Sequence, residues 1–212
     1  MKKGILLLIS CFYLSLGYSQ TYTFTYTGGL QTWTVPSGVT SITVDAQGAK
    51  GAGVAGYSYG YQSVGGCGGR VQATLAVTPG DVLNIVVGGQ GSYTTGAGGY
   101  GGGGSDGYWT SAWPGAGGGG ESNIKDGTAS LDLLHAGGGG GGGGDISPYD
   151  PGGAGGGLTG ANGGSNICST TGGGRGGTAG AGGAGGTCYS YTGGAGSYST
   201  GGISSTIGSA PT

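Results

Sequence analysis

Val39-Thr40-Ser41-Ile42-Thr43-Val44-Asp45-Ala46 decides the fold class. Ile42, Val44 and Ala46 fall on one side and Ser41, Thr43 and Asp45 on the other, the period-two pattern of a strand with one dry and one wet face. Upstream, Thr21-Tyr22-Thr23-Phe24-Thr25-Tyr26 alternates threonine with rings, and Gly28-Gly29 leads into Gln31-Thr32-Trp33-Thr34-Val35. Pro36-Ser37-Gly38 then turns the chain. Tyr22, Phe24, Tyr26 and Trp33 are expected in a β-sandwich core. Downstream, Arg70-Val71-Gln72-Ala73-Thr74-Leu75-Ala76-Val77 alternates as cleanly, and Thr78-Pro79-Gly80-Asp81 is a turn sequence. Val82-Leu83-Asn84-Ile85-Val86-Val87 reads as the returning arm of a hairpin, its unbroken apolar run asking for burial on both faces. Leu131-Asp132-Leu133-Leu134-His135-Ala136 reads as one more strand. No segment combines a 3.6-residue period with caps, and glycine costs about 1 kcal/mol in a helix interior. The expectation is an all-β domain with essentially no α-helix.

Glycine supplies 64 of 212 residues, and charged residues only 7%. Runs at 101–104, 117–120, 137–144, 155–157, 172–174 and 179–186 separate short ordinary segments. Glycine loses more backbone entropy on ordering than any other residue, so an isolated run is a flexible linker. The alternative is an extended helix of three residues per turn, of polyproline II geometry, whose amides bond sideways to neighbouring copies. Glycine is not every third residue over any long stretch, which excludes collagen. The chain divides into a leader, 1–19, and a single glycine-rich domain, 20–212. Strands are expected mainly within 21–87 and 129–136, and glycine-helix tracts mainly within 88–120 and 137–202.

The leader reads as a secretory signal peptide. Lys2 and Lys3 precede an apolar stretch, 4–16, and Gly17-Tyr18-Ser19-Gln20 offers a cleavage position after Ser19. The apolar stretch is about a dozen residues, too short for a hydrocarbon core of about 30 Å, and no later segment resembles a span. Leu8-Ile9-Ser10-Cys11 also matches a lipoprotein box, which gives an alternative in which Cys11 is lipidated and anchors the protein. Past the leader, Lys50, Arg70, Lys125 and Arg175 face eight acidic residues, for a net charge of −4. That balance gives no electrostatic footprint for nucleic acid or anionic lipid. Cys67, Cys168 and Cys188 remain, in a disulfide-permissive compartment. Cys168 and Cys188 enclose a glycine-rich loop and form the candidate pair. Cys67 is then free, joined to another chain, or the true partner of one of them.

The order Trp33-Thr34-Val35-Pro36-Ser37-Gly38-Val39-Thr40, then Ile42-Thr43-Val44-Asp45-Ala46-Gln47-Gly48-Ala49, resembles the opening of bacterial glycine-rich surface domains. Val77-Thr78-Pro79-Gly80-Asp81 through Val86-Val87-Gly88-Gly89, and the run after Ala136, continue the likeness. The plan is also similar to the glycine-rich ectodomain of anaplastic lymphoma kinase-type receptors. The resemblance spans roughly residues 22–160. It implies jelly-roll-like strands supporting a bundle of polyglycine helices in a bacterial protein that is secreted or displayed at the cell surface. Toward the end the chain departs from that plan, with only 201–207 resembling a closing strand.

Catalysis lacks its parts, and no enzyme, cofactor or metal site is expected. Gly51-Ala52-Gly53-Val54-Ala55-Gly56 is a literal dinucleotide fingerprint, but no helix follows and no acid stands about twenty residues on. Asp106 and Asp145 follow glycine runs without the tandem repetition of calcium-binding β-rolls. His135, the only histidine, sits among apolar neighbours in a strand, where its role is structural. Asp145 and Asp150 are near one another only in a turn sequence.

The aromatic residues are the remaining chemistry. Tyr57, Tyr59 and Tyr61 share one interstrand stretch, Tyr108, Trp109 and Trp113 lie between glycine runs, and Tyr189 and Tyr191 follow Cys188. Rings on loops held by a scaffold offer large contact area at low entropic loss and suit stacking on a sugar. These eight are the ligand-binding candidates, with a glycan or a cell-surface protein as partner; alternatively they cap the ends of the glycine bundle. Polyglycine-helix phage tail-fibre adhesins, which this plan resembles, make adhesion the leading function. A purely structural matrix or coat protein, with self-association, is the second reading, and ice binding the third.

Overall fold

The computed structural model describes residues 19–55, 62–106, 115–143, 151–156, 161, 176, 183, 187–188 and 191–192. Residues 1–18 of the leader lie outside them, as do 201–207. The described residues are all-β, without helix, and their strands pair antiparallel. The elements are β1 (Gln31–Thr34), β2 (Ser41–Gln47), β3 (Val54–Ala55), β4 (Gln62–Ser63), β5 (Arg70–Ala76), β6 (Val82–Val86), β7 (Ser122–Asp126), β8 (Leu131–Ala136), β9 (Thr187–Cys188) and β10 (Tyr191–Thr192). One sheet has the order β1-β6-β7-β8; β2 pairs with β5; β3 with β4 and β9 with β10 form short ladders.

β2 and β5 behave as their alternation requires: each half-buries every second residue and exposes the others, with Ile42 opposite Leu75 and Val44 opposite Ala73. Their inner face meets the four-stranded sheet across a cluster of Val35, Leu83, Ile85 and Ile124, on which Phe24, Trp33, Ile42, Val44, Val77 and Leu133 pack. Burying a large apolar side chain stabilises by about 1.5–3 kcal/mol, so this small layer is where the strands gain most. On the outer face, Arg70 and Gln72 both donate to the Asp45 carboxylate, Arg70 Nε at 2.8 Å and Gln72 Nε2 at 3.0 Å.

Two expectations are corrected. The turn at 78–81 does not close a hairpin, because β5 belongs to one sheet and β6 to the other. Residues 35–40 cross between sheets in the same way, and the two crossings stack. Val35 N donates to Asp81 O at 2.9 Å, Gly80 N to Val35 O at 2.9 Å, and Val77 N to Thr40 O at 3.0 Å. The physical reason is burial: β5 has one wet face, whereas β6 runs between β1 and β7 and buries Leu83, Ile85 and Val86. Gly80 (φ +93°) supplies the left-handed turn residue. The second correction concerns the rings. Residues 21–26 form no ladder, and Tyr22 and Tyr26 are 47% and 55% exposed. Only Phe24 and Trp33 turn inward, and Tyr22 lies tilted against Trp33 with centroids 5.4 Å apart. Without a partner strand to fix a dry face, the segment turns in only Phe24, which has no polar group, and leaves the phenols of Tyr22 and Tyr26 in water.

β7 was not expected. Its Ser-Asn-Ile-Lys-Asp sequence shows no alternation, yet it forms a hairpin with β8, Asn123 opposite His135, with a register shift at Ile124/Lys125. The Asp126 carboxylate closes the turn by accepting from Thr128 N at 2.8 Å and Ala129 N at 2.9 Å.

At one end of the sheets the glycine-rich stretches lie side by side and bond laterally. In residues 116–121 every amide donates, and the acceptors rotate with a period of three. Ala116 and Gly119 donate to Gly142 and Gly139, Gly117 and Gly120 to Ser92 and Gly89, and Gly118 and Glu121 to Gly104 and Gly101. Ala49 and Ala52 donate back to Gly120 and Gly117. The same interval recurs where Gly48 and Gly51 reach Gly69 and Gly66, Gly66 and Gly69 reach Gly140 and Gly137, and Gly152 and Gly155 reach Val64 and Cys67. A methyl group on Gly119 would fall inside the carbonyl of Ala49, whereas one on Gly118 would meet nothing closer than 3.4 Å.

Gly119→Ala is therefore expected to lower stability by about 1–3 kcal/mol or more through overpacking against backbone. Its neighbour Gly118→Ala should be neutral or stabilising by up to about 1 kcal/mol. Denaturant unfolding of the two variants checks the contrast, which a mobile linker would not show. The hydrogen bonds from Arg70 above all hold the Asp45 carboxyl at about 2. This pair contributes above the ordinary carboxylate range and its contribution is lost as pH falls through that value. A carboxyl-carbon NMR titration should give a midpoint near 2 for Asp45, moving up to the ordinary range in Arg70→Gln.

Candidate functional site

The lateral bonds gather the stems of several loops at the end of the glycine stretches away from the sheets. Val54 pairs with Ser63 at the base of 56–61. Ser63, itself buried, donates from Oγ to Gly143 O at 2.7 Å, the residue that opens 144–150. Gly142 N reaches Ala52 O at 3.0 Å, and Ala116 N reaches Gly142 O at 3.0 Å. Asp106 and Gly115 bracket 107–114, and a methyl group on Gly115 would lie 3.4 Å from Asp106 Cβ and 3.9 Å from Gly142 O. Asp106 N donates to Gly96 O at 2.7 Å, and Ser92 N to Ala97 O at 2.8 Å, which brings the 92–97 turn to the same end.

Of the residues singled out by sequence, Tyr57, Tyr59, Tyr61, Tyr108, Trp109, Trp113, Tyr189 and Cys168 lie outside the described residues. The described residues that flank 56–61 and 107–114 lie at one end. The backbones of Tyr191 and Cys188 are paired opposite one another in the β9–β10 ladder. The proposed Cys168–Cys188 pair lies outside what is described, while Cys67 is an exposed, free thiol. In 144–150 the sequence reading weighed Asp145 and Asp150 but did not include Tyr149 among the rings; the described residue that opens this segment, Gly143, accepts from Ser63 Oγ.

A second polar cluster sits where the sheet meets the glycine stretches. The His135 side chain is 8% exposed, with Nδ1 3.4 Å from Glu121 Oε2 and Nε2 3.9 Å from Asp132 Oδ2. Asn123 Nδ2 donates to Glu121 Oε1 at 2.8 Å, and Lys125 Nζ lies 2.8 Å from Asp132 Oδ1. The cluster ties β7 to β8 and, through Glu121 N to Gly101 O at 2.9 Å, both to the glycine stretches. The amide oxygen of Asn123, Oδ1, is buried there without a hydrogen-bond partner among the described residues, a group that burial makes costly. Glu121 and Asn123 were missed; the Asp126-Gly127 pair, a common hairpin signal, was the clue to β7, which holds Asn123 and follows Glu121. Among the described residues, no group of three or more His, Cys, Asp or Glu is placed to hold a metal ion, and no helix is long and apolar enough to cross a membrane.

Comparison with protein-family models, curated proteins and solved structures returns no match. The chemistry of the loop end therefore rests on its own residues. Asp106 is the one titratable group in its described stems with a displaced pKa: burial pushes its carboxyl above the ordinary value. The folded state thus disfavours the charged form. Its penalty is absent below the ordinary carboxylate pKa and grows as pH rises. Asp106→Asn is expected to raise the melting temperature at pH 7, with the advantage vanishing in melts run below pH about 4.

Proposed function

We propose that this is a secreted or cell-surface module that adheres to a glycan or surface protein through aromatic loops. Its scaffold is read as a jelly-roll-like pair of sheets supporting a bundle of polyglycine helices. The three-residue rotation of acceptors along 116–121 supports the helices, since only an extended three-fold backbone presents successive amides to three neighbours in turn. The observation that carries the adhesive reading is the meeting of stems: Ser63, Gly143, Ala116 and Asp106 are drawn together by backbone and hydroxyl bonds. Segments with Tyr57, Tyr59 and Tyr61 and with Tyr108, Trp109 and Trp113 leave from that one end.

Their function then needs no catalytic group. Rings combine wide apolar faces with polar edges, which matches the alternation of C–H faces and hydroxyl edges on a sugar. The acidic balance of the chain, with eight Asp and Glu, favours a neutral or cationic partner surface over a phosphate-bearing one. Export through the leader places the module where such partners are met.

Trp109→Ala combined with Trp113→Ala should weaken glycan-array binding by at least about 2 kcal/mol, as expected when aromatic anchors are truncated. On this reading the melting temperature should stay unchanged, because the stems of 107–114 are held by main-chain bonds such as Asp106 N to Gly96 O and Ala116 N to Gly142 O. An array that stays silent while the intact protein self-associates on concentration would instead favour a matrix or coat role.

A further inference from the structure

The strand ends farthest from the glycine stretches frame a second feature. Between the two sheets there, a groove of about 190 Å³ opens, lined by Val77, Leu83, Leu131 and Leu133 with Asp81 and Asp126 at its polar side. Its location follows from strand direction. β5 ends there, β6 and β8 begin there, and β7 finishes there, while their opposite ends run into 69, 88, 121 and 137.

We infer that this groove receives a lysine side chain from a partner protein. The first reason is the wall. Leu83 is buried at its floor, whereas Leu131 is 58% exposed at its mouth and the adjoining Val82 is 37% exposed. Aliphatic surface left in water beside a cavity is surface that a partner's hydrocarbon covers. The second reason is charge. The lining holds two carboxylates and no Lys, Arg or His. Asp126 spends Oδ1 on the amides of Thr128 and Ala129, but the Asp81 side chain makes no hydrogen bond or ion pair among the described residues. One free carboxylate beside an apolar slot fits a side chain with a long hydrocarbon stem and a compact cationic head. Lysine has that form; the planar fork of arginine is matched better by a carboxylate that accepts two parallel bonds. The acidic side excludes phosphate-bearing partners.

The inference is independent of the loop end, and its test reads the groove directly. Leucine-methyl NMR spectra of the mature chain would be recorded with acetyl-Gly-Lys-Gly-amide and with its norleucine counterpart. The lysine peptide should shift the methyl signals of Leu83, Leu131 and Leu133 saturably, and added salt should weaken the effect. The norleucine peptide should bind about tenfold more weakly, and Asp81→Asn should cost about tenfold for the lysine peptide, as loss of a charged hydrogen bond does. Asp81→Asn leaves intact the backbone bond that Asp81 O accepts from Val35. Leu131→Ser, at an already exposed site, should remove binding without loss of fold. Equal binding of the two peptides, or shifts confined to other methyl groups, would overturn the inference. So would a dimer of the peptide-free chain that Lys50→Gln dissolves, since the occupant would then be a second copy.

Discussion

Ala49 N donates to Gly120 O at 2.9 Å, and the approach this bond requires leaves no room for a Cβ on Gly119 against the Ala49 carbonyl. Much of the structure hangs on contacts of that kind. Fixing one backbone residue costs about 1–2 kcal/mol, and one hydrogen bond returns a net of about 0.5–1.5. A glycine stretch bonded on one side therefore gains too little to be ordered. Residues 116–121 escape this limit because each amide has its own acceptor and Gly117, Gly118 and Gly120 accept in return. Order in any one stretch depends on neighbours already in place, so the stretches form together or not at all.

The sheets resolve that dependence by delivering chain ends in register. β2 runs into Gly48, and the first lateral bond, Gly48 N to Gly69 O at 2.8 Å, continues the β2–β5 ladder by one step. β6 runs into Gly88, whose amide donates to Ser122 Oγ at 2.9 Å, while the same hydroxyl donates to Gln47 O at 2.6 Å. Ser122 thus joins both sheets at the level where strand gives way to glycine. The Glu121–Asn123–His135 cluster lies at that level too. A polar, buried joint has a reason here: a loose apolar contact tolerates sliding, whereas directed bonds set the height at which 115–121 and 137–143 begin.

How much of this was legible depended on whether a segment's pattern was local. β2 and β5 were readable because alternation records a face, and a face belongs to the strand itself. Pairing was not: Thr78-Pro79-Gly80-Asp81 has the residues of a hairpin turn, yet it crosses between sheets because its two arms differ in how many faces they bury. β7 was invisible for the complementary reason. Asn123 is buried and Lys125 half-buried, yet both are polar and meet His135 and Asp132 of β8, so the strand shows no hydrophobic period to find. Tyr22 and Tyr26 carried the right period without a partner strand, and stayed exposed. The glycine runs were ambiguous in principle, since linker and bundle share a composition and differ only in which distant amides meet.

The division between scaffold and loops follows from the same backbone chemistry. Contacts between the stretches are made by N–H, C=O and Cα, so they are indifferent to what side chains the intervening segments carry. The stems at Ala52, Ser63, Asp106, Ala116 and Gly143 are likewise held by main-chain bonds, one serine hydroxyl and close backbone approach. A conventional apolar core couples surface loops to packing, because loop anchors are also core residues. Here that coupling is weak: 56–61, 107–114 and 144–150 are free to differ in sequence while their bases remain fixed. For a module proposed to recognise surfaces, the arrangement separates the two demands on the chain. Glycine supplies position, the aromatic residues supply contact, and neither constrains the choice of the other.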